Sequence, residues 1–305
     1  MPDDTPAWRV GVLGVKLAAR RPSRRQCYAM DLNTITEVIR PDRRESLPDR
    51  RDGDAWLAGG TWLFSEPQPH LTRLIDLTAL GWPAIEVAPD RLGIGATCTI
   101  ATLDATPLPL EWTAVPLIGQ CCRAFFASFK IWNTATVGGN ICMSLPAGPM
   151  ISLASALDGV AVIWSRDGAE RRVPVLDFVL GSRRNALGPG EILRRIDIPA
   201  VALSRRAAFR QLSLAPLGRS AALVIGTLAA RGGAFDLTVT AATVRPVRLS
   251  FARLPDPQTL KIHLRRDIPG ELYFEDAHGT PRWRRHVTAV LAEDIRRELA
   301  REAGP

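Results

Sequence analysis

Apolar residues along this chain recur with two periods. Between Ala114 and Phe129, the residues Val115, Ile118, Cys122, Phe125 and Phe129 fall three or four positions apart, which predicts one helix face with Gln120 and Arg123 looking outward. The C-terminal run "HVTAVLAEDIRRELAR" repeats the pattern, with Val287, Val290, Leu291, Ile295 and Leu299 on one stripe and charges on the other. A small-residue helix is expected over "MISLASALDG", and a short one capped by Asn33 or Thr34 in "MDLNTITEVI".

Shorter apolar runs read as strands. "AWLAGGTWLF" is a strand-like run, a Gly-Gly turn and a second apolar run, and "LTRLIDLTAL" and "RLGIGATCTI" have strand composition. "GVAVIWS" and "ERRVPVL" flank Arg166-Asp167-Gly168, a hairpin signal. Downstream, "AFRQLSLAPLGRSAALVIGTLAAR" and "AFDLTVTAATVRP" supply strands around Gly232-Gly233. Residues 1–29 are basic and weakly patterned and read as an extension. "EILRRIDIP" closes a first unit, so 30–203 and 204–305 read as two units, the second of them α+β.

Composition narrows the function classes. At 305 residues and 46% apolar content the chain can bury a real core, and it holds no uncharged apolar run of about 18 residues that would span a bilayer. No membrane and a cytoplasmic site are expected. The net charge of +8 is carried by arginines interleaved with acids, as in "RPDRRESLPDRRDGD", a pattern of solvated faces that argues against nucleic acid. Cys27, Cys98, Cys121, Cys122 and Cys142 form no disulfide framework and no iron–sulfur spacing, and are expected as reduced, mostly buried thiols. His70, His263, His278 and His286 lack metal spacing, and no acid/base constellation stands out, so neither a metal nor a catalytic side chain is expected.

Two glycine pairs suggest a ligand. Ala58-Gly59-Gly60-Thr61 and Thr136-Val137-Gly138-Gly139-Asn140 each follow an apolar run and carry a hydroxyl residue. Successive exposed backbone N–H groups make an anion-binding concavity, and two such loops facing each other would suit a pyrophosphate. Gly95-Ala96-Thr97-Cys98-Thr99 offers a third small, hydroxyl-rich segment. A P-loop and a dinucleotide-binding G-x-G-x-x-G are both absent.

The ordered set "LAGGTWL", "LIDLT", "LGIGATCTIATL", "NTATVGGNI", "PAGPMISLASALDG", "VLDFVLG" and "GEILRRIDIP" resembles the FAD-binding medium subunit of molybdenum hydroxylases, the xanthine dehydrogenase, aldehyde oxidoreductase and carbon monoxide dehydrogenase family. The resemblance runs from about Met30 to the C-terminus, where "VRPVR" and "DAHGTPRWRRHVTAVL" resemble that family's last domain. It implies an α+β fold: a two-lobed FAD-binding domain of the vanillyl-alcohol-oxidase (PCMH) type over 30–203, then a smaller α+β domain over 204–305. It also implies FAD as cofactor. Leu57, Ala58, Gly59, Gly60, Thr61 and Trp62 would wrap part of the diphosphate and ribityl region, and Asn133, Thr136, Val137, Gly138, Gly139 and Asn140 would hold the other side. Ala96 and Thr99 would line the same cleft, and Arg210 would lie near the flavin.

Implied partners are a molybdopterin-binding large subunit and a 2Fe-2S small subunit, with NAD or another molecule as electron acceptor. Three positions depart from the family pattern: Trp132 where an arginine is usual before Asn133, Cys98 where a second threonine is usual, and Pro149 in place of an aspartate. Two alternatives stay open: a stand-alone FAD oxidase of the same fold, and a non-catalytic assembly or regulatory relative with weak flavin binding.

Overall fold

The computed structural model describes residues 32–165, 168–215, 218–230 and 233–302. The 1–29 extension, Met30 and, with them, Cys27, as well as Arg166, Asp167 and Gly232, lie outside the described residues.

Three larger sheets, one two-stranded sheet and the helices between them make a mixed α+β architecture among the described residues. The first sheet is parallel: β1 (Glu37–Ile39), β2 (Asp54–Leu57) and β3 (Arg73–Asp76) in the order β1-β3-β2. Here the short helix expected in "MDLNTITEVI" is a strand. The β-branched Val38 and Ile39 pair with Leu74 and Ile75, and Thr36 N–H donates to the Thr72 carbonyl, so the partner strand overrides the local cap signal. Under β2 and β3 lies a buried ion pair: Arg73 Nε donates to Asp54 Oδ1 at 2.7 Å and Nη2 to Oδ2 at 2.6 Å. This fork–fork contact lowers the Asp54 carboxyl below its ordinary value.

The second sheet is antiparallel: β4 (Ile85–Ala88), β5 (Arg91–Gly95), β6 (Val160–Trp164), β7 (Glu170–Pro174) and β10 (Ile192–Pro199), ordered β4-β5-β10-β6-β7. The hairpin expected from "GVAVIWS" and "ERRVPVL" is β6–β7. Between β5 and β6 run α1 (Ile100–Ala105), α2 (Val115–Ala124), α3 (Phe129–Trp132), α4 (Val137–Met143) and α5 (Pro149–Ala156). The helix expected to reach Phe129 stops at Ala124. Trp132 Nε1 donates to the Phe125 carbonyl at 2.9 Å, closing the break, and Phe129 opens a separate turn with 73% of its surface exposed. After β7 come α6 (Val175–Phe178), the two-stranded hairpin β8 (Val179–Gly181) and β9 (Arg184–Asn185), and α7 (Ala200–Leu203) after β10.

The third sheet is an antiparallel meander of β11 (Arg206–Leu212), β12 (Ala222–Leu228), β13 (Phe235–Thr240) and β14 (Val247–Phe251). Strand alternation sends its two faces to different neighbours. Phe209, Leu223 and Ile225 join the core of the preceding helices, whereas Ala208, Ala222 and Val224 pack under α8 (Pro257–Asp267) and α9 (Pro281–Glu302). Polar contacts reinforce the first face: the Ser152 and Thr240 hydroxyls share a hydrogen bond of 2.6 Å, Ala241 N–H donates to the Pro146 carbonyl, and Asp158 takes both Arg205 and Arg248. On the second face the buried Arg284 donates from Nη1 to the Ala221 and Ala241 carbonyls and pairs with Asp276.

A cleft built from three loops

Three loops that are far apart in sequence meet at the ends of β2, β5 and α3. The first, 58–62, leaves the C-terminal end of parallel β2, the end at which open α/β sheets place ligands. The second, 96–99, joins β5 to α1, and the third, 133–136, leads into α4. Close approaches join them. A Cβ at Gly59 would lie 1.9 Å from the Thr134 carbonyl oxygen, and a Cβ at Gly138 would lie 2.5 Å from the Ala96 Cβ. Only hydrogen fits at either contact. A Thr99–Thr136 bridge and a bond from Ile100 N–H to the Ala135 carbonyl complete the junction.

The two glycine pairs differ in what their amides do. In the third loop four N–H groups of the expected binding run, those of residues 137 to 140, already have a protein acceptor. Val137 N–H donates to Cys98 O at 2.9 Å, Gly138 N–H to Ala96 O at 3.0 Å, Gly139 N–H to Thr136 Oγ1 at 3.1 Å and Asn140 N–H to Thr136 O at 3.0 Å. Thr136 is the N-cap of α4, and its hydroxyl oxygen takes a donor that a ligand would otherwise receive. The expectation that this loop offers a row of free amides is thereby corrected. What it leaves free among the described residues are the Thr136 N–H and the Asn140 side-chain NH2, since Asn140 Oδ1 accepts from Met150 N–H at 3.1 Å.

In the first loop the N–H groups of Gly59, Gly60, Thr61 and Trp62 have no acceptor among the described residues, and Gly60 holds φ at +68°. A positive φ between residues of ordinary φ turns successive amides toward one side, the geometry of an anion nest. The Thr61 hydroxyl likewise has no protein partner there, while the Trp62 ring lies 5.3 Å from the Arg183 guanidinium. Arg183, on the β8–β9 turn with φ of 58°, forms no ion pair among the described residues. It is a cation beside the nest that sequence reasoning missed; its only signal was an arginine pair in the turn-like "GSRRN".

The other expected residues divide. Leu57 ends β2 and lies half-buried at the root of the nest, and Ala58 leads into it. Ala96 is buried against Gly138, and Thr99 caps α1 by accepting from Thr102 N–H at 3.1 Å. Asn133 spends its side-chain NH2 on the Phe129 carbonyl at 2.8 Å. Arg210 is a correction: strand alternation puts it on the α9 face of β11, where it pairs with Glu298. That is the face turned away from the three loops. Cys98, within the second loop, is buried, and burial pushes its thiol up to about 12, so it stays neutral.

Pro149, at the first turn of buried α5, supplies no carboxylate; Asn140 Oδ1 serves instead as acceptor for the Met150 amide. Asn140, Gly148 and Pro149 border a cavity of about 220 Å³ together with Phe126 and Arg219.

Residues 40–201 match the family described as the FAD binding domain in molybdopterin dehydrogenase. The chain belongs to this family of FAD-binding oxidoreductase components. The nicotinate dehydrogenase FAD-subunit of Eubacterium barkeri is 30% identical over 172 residues, 52% of this chain and 55% of that protein. The 6-hydroxypseudooxynicotine dehydrogenase complex subunit alpha of Paenarthrobacter nicotinovorans is 25% identical over 173 residues, 55% of this chain and 56% of that protein. Xanthine dehydrogenase 1 of Arabidopsis thaliana is 36% identical over 86 residues, 26% of this chain and 6% of the plant enzyme. The chain's matched segment thus spans about half the length of the two bacterial relatives.

Solved structures agree on the fold. Quinoline 2-oxidoreductase from Pseudomonas putida 86 superposes with a TM-score of 0.72 at 20% identity, covering 88% of this chain and 98% of that one. Carbon monoxide dehydrogenase from Oligotropha carboxidovorans superposes with a TM-score of 0.67 at 21% identity, covering 80% and 88%.

The donor set fits FAD. Four amides and a threonine hydroxyl that have no partner among the described residues, with the Arg183 cation beside them, answer the chemistry of a diphosphate with a polar ribityl chain.

Proposed function

We propose that this chain is the FAD-carrying electron-transfer subunit of a molybdopterin-dependent hydroxylase or dehydrogenase. In that role it takes electrons from a 2Fe-2S subunit fed by a molybdopterin-binding large subunit, and delivers them to NAD or another acceptor in the cytoplasm. The observation that carries the reading is the run of unpartnered amides from Gly59 to Trp62, pinned from behind by the Gly59–Thr134 contact. The subunit names of the bacterial relatives support a multi-subunit setting.

Bound FAD supplies the redox chemistry, and the protein supplies placement. The amides of Gly59, Gly60, Thr61 and Trp62 would hold the diphosphate, with Arg183 balancing its charge. Asn140 would donate from its free NH2. Leu57, Ala58, Ala96, Thr99 and the backbone from Thr136 to Gly139 would form the wall that fixes the loop and excludes water. No helix among the described residues is long and apolar enough to cross a membrane. The division at residues 203 and 204 is proposed as a boundary of chain organisation, with a core that continues across it through Leu223, Ile225 and Ala241.

Purification from cofactor-replete cells tests the reading. The expected result is a yellow protein that releases FAD on denaturation and copurifies with molybdopterin and iron–sulfur subunits. A colourless protein that takes up no FAD on incubation would contradict it.

A further inference from the structure

On the outer side of the third sheet, away from the three loops, α8 and α9 border a groove of about 640 Å³. Lys261 and Arg265, one turn apart on α8, face it, as do Arg282, Arg285 and His286 on the first turns of α9. No carboxylate lines it. Their neighbours are paired: Arg266 with Asp267, Arg284 with Asp276, and Arg296 and Arg297 with Glu293. By contrast, none of the five groove residues has an ion pair among the described residues. Holding four permanent cations together without a counter-charge is unfavourable, and the arrangement is relieved by a bound anion.

A second observation points the same way. Tyr273 is only 5% exposed, yet it lines the groove, and its hydroxyl has no hydrogen-bond partner among the described residues. Burial pushes the phenol up to about 12, so at neutral pH it keeps its proton and is a donor. The hydroxyl is not one of the fully buried unpartnered atoms, so it opens on the groove and is free to donate to a ligand oxygen. Beside it, Leu264 and Ala289 give the groove an apolar floor.

We propose that this groove binds a small organic polyphosphate of nucleoside-diphosphate size, at a site separate from the flavin cleft. The guanidinium groups of Arg282 and Arg285, with Lys261 and Arg265 opposite, take the phosphates, Tyr273 donates to one phosphate oxygen, and the apolar floor takes the organic body. Size selects a compact ligand over an acidic peptide. From Arg282 to Ala289 the helix rises about 10 Å, which three extended peptide residues would already fill, whereas the groove volume lies within the range of small-ligand sites.

The test uses the full chain saturated with FAD, so that the flavin cleft is blocked, and calorimetric titration with ADP, pyrophosphate, adenosine and hexaglutamate. ADP is expected to bind saturably, pyrophosphate to compete with it, and adenosine to fail. Arg282→Ala combined with Arg285→Ala changes two exposed side chains. It is expected to weaken ADP by at least about tenfold, while the 450 nm flavin absorbance and the circular dichroism stay unchanged. Tyr273→Phe is expected to weaken ADP by about threefold to tenfold. Absent ADP binding, ADP binding unaltered in the double variant, or hexaglutamate binding tighter than ADP would each overturn the proposal. The difference between parent and double variant assigns the site whatever the flavin content, so its failure is distinct from failure of the FAD reading.

Discussion

The two Gly-Gly loops share a glycine pair and a threonine and do different work. In 137–140 the N–H groups close on Cys98, Ala96 and Thr136, so the loop is a buckle that starts α4 and locks onto the second loop. In 59–62 the N–H groups close on no acceptor among the described residues, and the loop is held from behind at Gly59. A glycine pair therefore does not by itself mean an anion seat. What decides is whether neighbouring acceptors have already taken its donors, and whether a hydroxyl in the cap position has done so first.

Substitutions can break this contrast, beginning with the buckle. Gly138→Ala forces a methyl against Ala96 at 2.5 Å in a buried site. It is expected to cost about 1–3 kcal/mol, lowering the thermal midpoint with and without FAD and emptying the flavin site. A midpoint like that of the parent would show that the two loops are not clamped. Gly60→Ala keeps the clamp but strains a residue at φ +68° and presses on the Phe64 ring. A loss of about 1–2 kcal/mol is expected, read as weaker FAD affinity, with the stability gained on adding FAD reduced more than the FAD-free midpoint. Equal losses in both would make the first loop structural as well.

Thr136→Ala removes the α4 cap at an expected cost of about 1 kcal/mol, seen in urea unfolding. It also frees the Gly139 amide, so FAD affinity is expected to fall less than stability does.

The smallest effect is with acid. The folded-state carboxyl of Asp54 titrates below its unfolded value because Arg73 grips it, so its contribution is present above the usual aspartate range and is lost as pH falls through the lower folded value. That pair lies under β2 and β3, at the root of the first loop, and no comparable ion pair among the described residues supports the third. FAD release below about pH 4 should therefore precede the loss of helix signal. Asp54→Asn should flatten that pH dependence.

Much of this organisation is legible in the chain. The order of the three loops, the β6–β7 hairpin, small-residue α5 and the amphipathic C-terminal helix follow from local composition and periodicity. What is not legible depends on partners distant in sequence. Val38 and Ile39 become a strand because Leu74 and Ile75 lie beside them. The α2 helix stops at Ala124 because a tryptophan seven residues after Phe125 takes the Phe125 carbonyl. Arg210 leaves the cleft because strand parity turns it to Glu298, and Arg183 enters because a turn carries it over Trp62. The partition of amides between the two glycine loops belongs to the same class, since the carbonyls of Ala96 and Cys98 decide it from some forty residues away.

Amide hydrogen exchange with and without FAD tests the central claim directly. The account predicts that the amides of Gly59, Gly60, Thr61 and Trp62 exchange fast in the FAD-free chain and become protected on adding FAD, while those of Val137, Gly138, Gly139 and Asn140 are protected in both states. Fast exchange at 137–140 without FAD, with protection gained there as strongly as at 59–62, would contradict it.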